Sequence, residues 1–484
     1  MEESGGEHEL DTHVPARPRR RRGLLAALVA LAVVAGLVAS YLVWSGGSSS
    51  YPSKWDPRVA AIAKFDEKTR GLKYDHPVPV AFLPDKQFRK EVTRDEKGLT
   101  KEDRKQLQQS TKFLRALGLV SGNVDLFKET NKLQGETVLA FYDPDRKRVR
   151  VRGTKLDPAT RVTVAHELTH VLQDQHFDLN KTEDRLDSDA RSIFRAIVEG
   201  DATDVEDAYI AKLSRADKAA YEKSQQDEQQ KTQESTATIP EVLQVLQEAP
   251  YVFGSPLIAV LRADGGVREL NRAFSHPPVS DEQLMDPRRF LAHDKPKKVA
   301  RPQLARGEKK VDSGTMGAIG WYVMLASRID PKEALTAVDG WGGDKYVSFE
   351  RGKTTCVRAA YRGDTRRDTD EMHAALTKWV AAMPAHAGSL RRSGGVVTLE
   401  SCDPGASTEI RTGSLSDAMA LPVGRVQILG EFVKDGAPID LAMCVSDKLV
   451  RALTPQQLSD ETGSSIDPTT AQNMVKTFAA QCRA

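Results

Sequence analysis

A chain of 484 residues carrying 70 basic and 68 acidic side chains has a formal net charge of +2 at pH 7, so charge makes no case for nucleic-acid binding. Aromatic residues are only 6 % and charged residues 29 % of the chain, yet apolar periodicity persists through most of it and demands a folded body. The part beyond the N-terminal segment, about 430 residues, suffices for two or three domains.

Arg17, Arg19, Arg20, Arg21 and Arg22 stand directly before an uncharged run at 23–44. As a helix that run would span about 33 Å, enough for the hydrocarbon core of a bilayer. It exceeds the roughly 7–15 residues of a secretory h-region, which favours an uncleaved anchor over a signal peptide cut at Val38-Ala39-Ser40. Basic flanks stay inside. Residues 1–22 are therefore assigned to a cytoplasmic tail and 23–44 to a single transmembrane helix in the cell membrane, with the remainder extracytoplasmic. Residues 45–54, opening on Ser45-Gly46-Gly47-Ser48, read as a flexible linker.

Residues 55–300 form the candidate catalytic domain. A helix is expected over 57–70, an extended segment over 77–82, and helices over 100–117 and 124–132. Strand-like runs at 138–142 and 148–152 flank the turn signal Asp143-Pro144-Asp145. In the second run Val149 and Val151 alternate with Arg148, Arg150 and Arg152, the pattern of an ordinary solvated, basic strand edge, with a preference for acidic substrate residues as the alternative.

Asp157-Pro158 then opens a helix, with Asp as N-cap and Pro at the first helical position. That helix carries His166-Glu167-Leu168-Thr169-His170. Residues four apart stack on one helical face, so both imidazoles can reach one metal ion. Glu167 would be the general base toward a zinc-bound water. Chance gives on the order of 0.01 such strings in a chain of this histidine content, so a metal site is preferred to two idle imidazoles. Val164, Leu168, Val171 and Leu172 form an apolar stripe that leaves the histidines free to border a cleft.

A catalytic zinc takes three protein ligands and keeps one open position. The third ligand is assigned to Glu199, 199 − 170 = 29 residues beyond His170. It lies on a second helix that starts near Ser188 and carries Ile193, Phe194, Ile197 and Val198 at helical spacing. His176 has the spacing of a third histidine ligand, but Gln173 stands where a Gly must turn the chain back to the metal. A continuing helix points His176 away.

This constellation resembles the gluzincin superfamily of zinc metallopeptidases. The match rests on His166, Glu167, His170 and Glu199, and on the string Glu199-Gly200-Asp201-Ala202. The longer string from His166 to Phe177 is similar to uncharacterised, mostly envelope-associated bacterial H-E-x-x-H proteins. The resemblance covers residues 137–210. It implies a mainly helical zincin-like domain, a Zn2+ cofactor and a strand edge beside the active-site helix that can hold an extended peptide. One position departs from the pattern: thermolysin-like enzymes orient the first His with an Asp four residues after the ligand Glu, and Thr203 stands there. Asp201 or Asp204 is then the expected donor of that support. An oxyanion-stabilising Tyr or His is also implied, with Tyr251 and His276 as candidates.

Residues 211–238, rich in Gln, Lys and Glu, read as either an exposed helical arm or a mobile insertion, a solvated helix being the default and a part in substrate access the alternative. Residues 251–291 read as a helix to Leu261, a turn at Asp264-Gly265-Gly266, a second helix and a loop anchored by Pro277-Pro278. From 301 to 484 the pattern is mixed α/β. A helix is expected over 314–327, strands within 338–349 and over 354–361, a turn at Arg351-Gly352, and an amphipathic helix over 369–382. A further strand at 395–401 precedes a mostly helical tail over 414–484. Trp341, among Gly340, Gly342 and Gly343, is expected to pack beside a bend. Cys356, Cys402, Cys444 and Cys482 all fall in this region. In an oxidising compartment they suggest two disulfides from three possible connectivities, with Cys356–Cys402 and Cys444–Cys482 favoured.

The expected fold is α+β: a zincin-like domain with a β-hairpin, a disulfide-bonded α/β C-terminal region and one N-terminal transmembrane helix. The expected function is membrane-anchored, extracytoplasmic zinc-dependent hydrolysis of a peptide or protein substrate. A non-catalytic zinc-binding envelope assembly or adaptor protein is the alternative. A tethered binding module working through the region after about residue 300 is the third reading.

Overall fold

The computed structural model describes residues 51–186, 188–410, 412–459 and 466–483. The basic tail, the anchor and the linker up to residue 50 lie outside them. Among the described residues no helix is long and apolar enough to cross a membrane. The fold is α+β, with a three-stranded and a five-stranded sheet set among helices.

Helix α1 (Ala60–Arg70), β1 (Val80–Leu83), α2 (Asp85–Val92), α3 (Lys101–Ala116) and α4 (Leu126–Thr137) lead to the hairpin β2 (Ala140–Asp143) and β3 (Arg148–Arg152). Its strands pair antiparallel, Ala140 opposite Val151 and Tyr142 opposite Val149. β3 is not an edge, however, because β1 pairs with it in parallel and the order is β1-β3-β2. The basic face is not solvated either. Arg148 and Arg150 pair with Glu91, and Arg152 with Asp85, both on α2. The alternation therefore marks a charge-paired face under α2, and the sheet's edges are β1 and β2. Sequence periodicity gives no sign of α2, which buries only Phe88.

Next come α5 (Pro158–Phe177), α6 (Leu179–Asp184), α7 (Ser188–Ala211), α8 (Arg215–Thr236) and α9 (Glu241–Ser275). The Asp157 carboxylate caps α5 by accepting from the Thr160 N–H at 2.9 Å. Val164, Leu168 and Val171 of α5 pack with Ile62 and Ala63 of α1 and with Val149 and Val151 of β3. α8 is the expected helical arm. α9 follows expectation: its 35 residues are two helical segments that meet at a kink within the Asp264-Gly265-Gly266 turn, and Pro250 and Pro256 both lie inside the first. Its one non-helical residue is Gly266, at φ 66°. Buried apolar side chains line α9 from Val242 to Leu261, so tertiary packing overrides the local proline penalty.

α7 and α9 cross backbone to backbone. A Cβ on Gly254 would collide with the Ala196 carbonyl oxygen, and one on Gly200 with the Gly254 carbonyl group. Here glycine is required by close approach.

Short helices α10 (Glu282–Met285) and α11 (Pro287–Leu291) precede β4 (Lys309–Gly314), α12 (Gly317–Ala326) and α13 (Pro331–Val338). Then follow β5 (Trp341–Arg351), β6 (Thr354–Gly363), α14 (Arg366–Ala381), β7 (Gly388–Ser393) and β8 (Val396–Cys402). The second sheet is antiparallel with order β4-β5-β6-β8-β7. Its edges β4 and β7 were not expected, since their exposed polar residues show no alternation. Trp341 is 2 % exposed and donates its Nε1–H to Asp344, the packed role expected of it. The tail is α15 (Leu415–Lys434), α16 (Ile439–Ala452), α17 (Pro455–Ser459) and α18 (Pro468–Arg483). Both favoured disulfides form: Cys356–Cys402 joins opposed residues of β6 and β8, and Cys444–Cys482 ties α16 to α18. One apolar core takes in Phe253 and Leu257 of α9, Trp321 of α12 and Leu421 of α15.

Gly254→Ala should cost about 1–3 kcal/mol by forcing α7 from α9, read as a lower denaturant midpoint; an unchanged midpoint contradicts the contact. Glu248 of α9 is buried with its Oε1 unpartnered, and that burial holds its carboxyl well above the ordinary 4.5. The native state keeps a proton that the unfolded state releases, so stability present below pH 4.5 is lost as pH rises. Glu248→Met should raise Tm more at pH 8 than at pH 4, and equal shifts would refute this.

Candidate metal centre

His166 and His170 stack one turn apart on α5, and Glu199 reaches them from α7. Glu199 Oε2 lies 3.3 Å from His166 Nε2 and 3.5 Å from His170 Nε2. The donor atoms of the three residues lie within 4.8 Å of one another. His166, Glu167, His170 and Glu199 are each 7–9 % exposed. Tetrahedral ligands on bonds of roughly 2.0–2.1 Å sit about 3.3 Å apart. Two imidazole nitrogens and one carboxylate at these separations can hold a metal ion.

The outer nitrogens fix which atoms face the centre. His166 Nδ1 lies 3.0 Å from Glu206 Oε2, which accepts its proton and leaves Nε2 as the ligand atom. His170 Nδ1 lies 2.9 Å from Gln173 Oε1. Gln173 Nε2 donates to the Val198 carbonyl at 2.9 Å and to Asp201 Oδ2 at 3.0 Å. Asp201 is in turn paired with Arg70 Nε at 2.7 Å, both side chains fully buried. Two acceptors on one side of the Gln173 amide leave only its oxygen for His170, so His170 Nδ1 must be the donor.

The expected support for His166 from Asp201 or Asp204 is therefore corrected. Asp204 pairs with Arg262 at 2.8 Å, and Asp201 acts on His170 through Gln173. Thr203 donates its hydroxyl to the Glu199 carbonyl. Glu206 does the work, seven residues after Glu199 and so two turns along the same face of α7. Its signal was an acidic residue at that helical spacing. His176 lies off the site, its ring against the Lys73 carbonyl.

Glu167 Oε2 accepts from the Tyr142 N–H of β2 at 2.8 Å, which orients the carboxylate and leaves Oε1 without that bond. Burial raises the Glu167 carboxyl, partly offset by His170 and His166. For His166, burial favours the neutral ring, but hydrogen bonds to Glu199 and Glu206 outweigh it and push it up to about 10. Hydrogen bonding pulls the Glu199 carboxyl well below its ordinary range despite burial. Tyr251 of α9 places its ring centroid 6.3 Å from that of His166. The residue is partly exposed, but burial around its hydroxyl, with the neighbouring Glu199, raises that group well above the ordinary range. His276 is at the opposite end of α9, as its C-cap.

Residues 303–414 match a family described as Domain of unknown function (DUF8575). That stretch holds the five-stranded sheet and none of the His/Glu centre. No curated protein matches the chain, and no solved structure does.

Glu206→Gln should weaken zinc binding about 10–100-fold, measured by chelator competition, whereas Asp204→Asn should leave it unchanged. Equal losses in both would contradict the assignment of Glu206.

Proposed function

We propose that the protein is a zinc-dependent metallopeptidase of gluzincin type that hydrolyses peptide bonds outside the cytoplasm. The observation that carries this reading is the convergence of His166, His170 and Glu199, whose donor atoms lie within 4.8 Å of one another, with the Glu167 carboxylate close enough to feel both histidines. A zinc ion held there supplies a Lewis acid and draws the pKa of a bound water down towards about 7.

Glu167, held through Oε2 by Tyr142, presents Oε1 to take the proton of the attacking water and deliver it to the leaving amine. Tyr251 is the donor placed for the developing oxyanion, a role His276 cannot fill from the far end of α9. Glu206 and Gln173 hold both histidines in the tautomer that turns Nε2 inward. The edge of β2 next to Glu167 offers backbone groups to an extended substrate. Two disulfides in the C-terminal region favour an oxidising compartment, in keeping with a catalytic body tethered outside by the 23–44 anchor.

Glu167→Gln should retain stoichiometric zinc while lowering casein cleavage about 10²–10⁴-fold. Glu199→Ala should lose the metal itself. Undiminished proteolysis by the Gln variant would overturn the mechanism, and full zinc content in the Ala variant would overturn the ligand set.

A further inference from the structure

A hollow of about 330 Å³ lies one helical turn from Glu167, between α5 and the arm α8. It is at the lower end of the roughly 300–1,000 Å³ typical of ligand pockets. Thr160 and Thr163 of α5 face Ser224, Gln225, Thr232 and Ser235 of α8 across it. α8 buries only Tyr221, Thr232 and Thr236, so it lacks the apolar stripe that packing alone would call for. An arm held by core burial would close down on apolar contacts. This one leaves hydroxyls around a space.

Two elements connect the wall of the hollow to Glu167. Thr163 is four residues before Glu167 on α5, so their side chains lie about 5–6 Å apart on one face. Leu139, also in the wall, directly precedes the edge strand β2, whose Tyr142 N–H meets Glu167. An extended chain rising about 3.3 Å per residue covers that interval in about two residues.

The lining also narrows the occupant. Its charged groups are Arg89, Arg152 and Lys231 against Glu136, Asp157 and Glu228, three of each sign, giving 3 − 3 = 0. Arg89 is already paired with Glu136, and Arg152 with Asp85. Thr163 and Ser235 spend their protons on the carbonyls of Ala159 and Thr232, which leaves oxygen lone pairs for a donor. Such a wall disfavours a large apolar side chain, and its balanced charges favour neither sign of charge.

We propose that the hollow between α5 and α8 is a substrate subsite that selects uncharged polar side chains bearing a donor, two or three residues from the scissile bond. This specificity rests on the peptidase reading above. The amide and hydroxyl side chains of Asn, Gln, Ser and Thr are the chemistry it fits.

The test is cleavage-site profiling of a randomised peptide library by the zinc-loaded full chain, followed by the Thr163→Val/Ser235→Ala variant. Wild type should favour Gln over Leu about tenfold in kcat/KM at one position two or three residues from the cut, and the variant should reduce that ratio to about twofold. Zinc content equal to wild type shows that the variant is folded. Cleavage with a flat profile at those positions, or a preference unchanged in the variant, overturns the subsite alone. Absence of cleavage across the whole library overturns the peptidase reading and the subsite with it.

Discussion

The contact of α7 with α9 decides where the His/Glu centre of this molecule is assembled. Gly200 and Gly254 let the two backbones touch. Glu199 is the residue before the first glycine, and Tyr251 is one turn before the second. One crossing therefore delivers a carboxylate and a phenol to the same point, above the two imidazoles of α5. A side chain at either glycine would move both groups together. The precision of the centre is thus a property of helix packing and owes nothing to a loop.

A buried set of charges surrounds that crossing. His166, Glu167, His170, Glu199, Asp201, Glu206 and Arg70 are all buried, a costly arrangement that contributes little net stability. Its effect is on orientation. α1 sends Arg70 inward to Asp201, Asp201 holds the Gln173 amide, and the amide allows His170 one tautomer. Glu206 performs the same service for His166 in a single step. Each imidazole is turned by an acceptor from outside the metal set, which is how a weakly stabilising network produces a stiff ligand geometry.

Legibility in the sequence followed the range of the interaction. His166, Glu167 and His170 stand on one helix, where spacing alone determines their common face. Glu199 lies on a separate element and was reached through the need for a third ligand and the apolar pattern around it. Glu206 escaped because the thermolysin-like pattern puts the supporting carboxylate four residues past Glu199, whereas here it stands seven residues on. Gln173 was visible only as a missing glycine, although its place three residues after His170 also marks a neighbour on the same face. The parallel pairing of β1 with β3 joins segments far apart in the chain and has no local signal. The solvated edge inferred from alternating arginines failed because α2, too short to show a stripe, lies across that face.

The C-terminal region reaches the centre mechanically. α15 packs on the back of α9, close enough that a Cβ on Gly430 would come within 3.3 Å of Pro256. Pro256 is itself inside α9, where a missing N–H weakens the helix and makes outside support matter more. α16 packs on α15, and the Cys444–Cys482 bond ties α16 to α18. The tail therefore braces α9, and α9 positions Tyr251 beside His166. The part of the chain that matches a domain of unknown function, 303–414, shares the same apolar core through Trp321 and Trp379. The ligands lie in one stretch of sequence, but the stiffness of the helix that completes their surroundings is supplied by another.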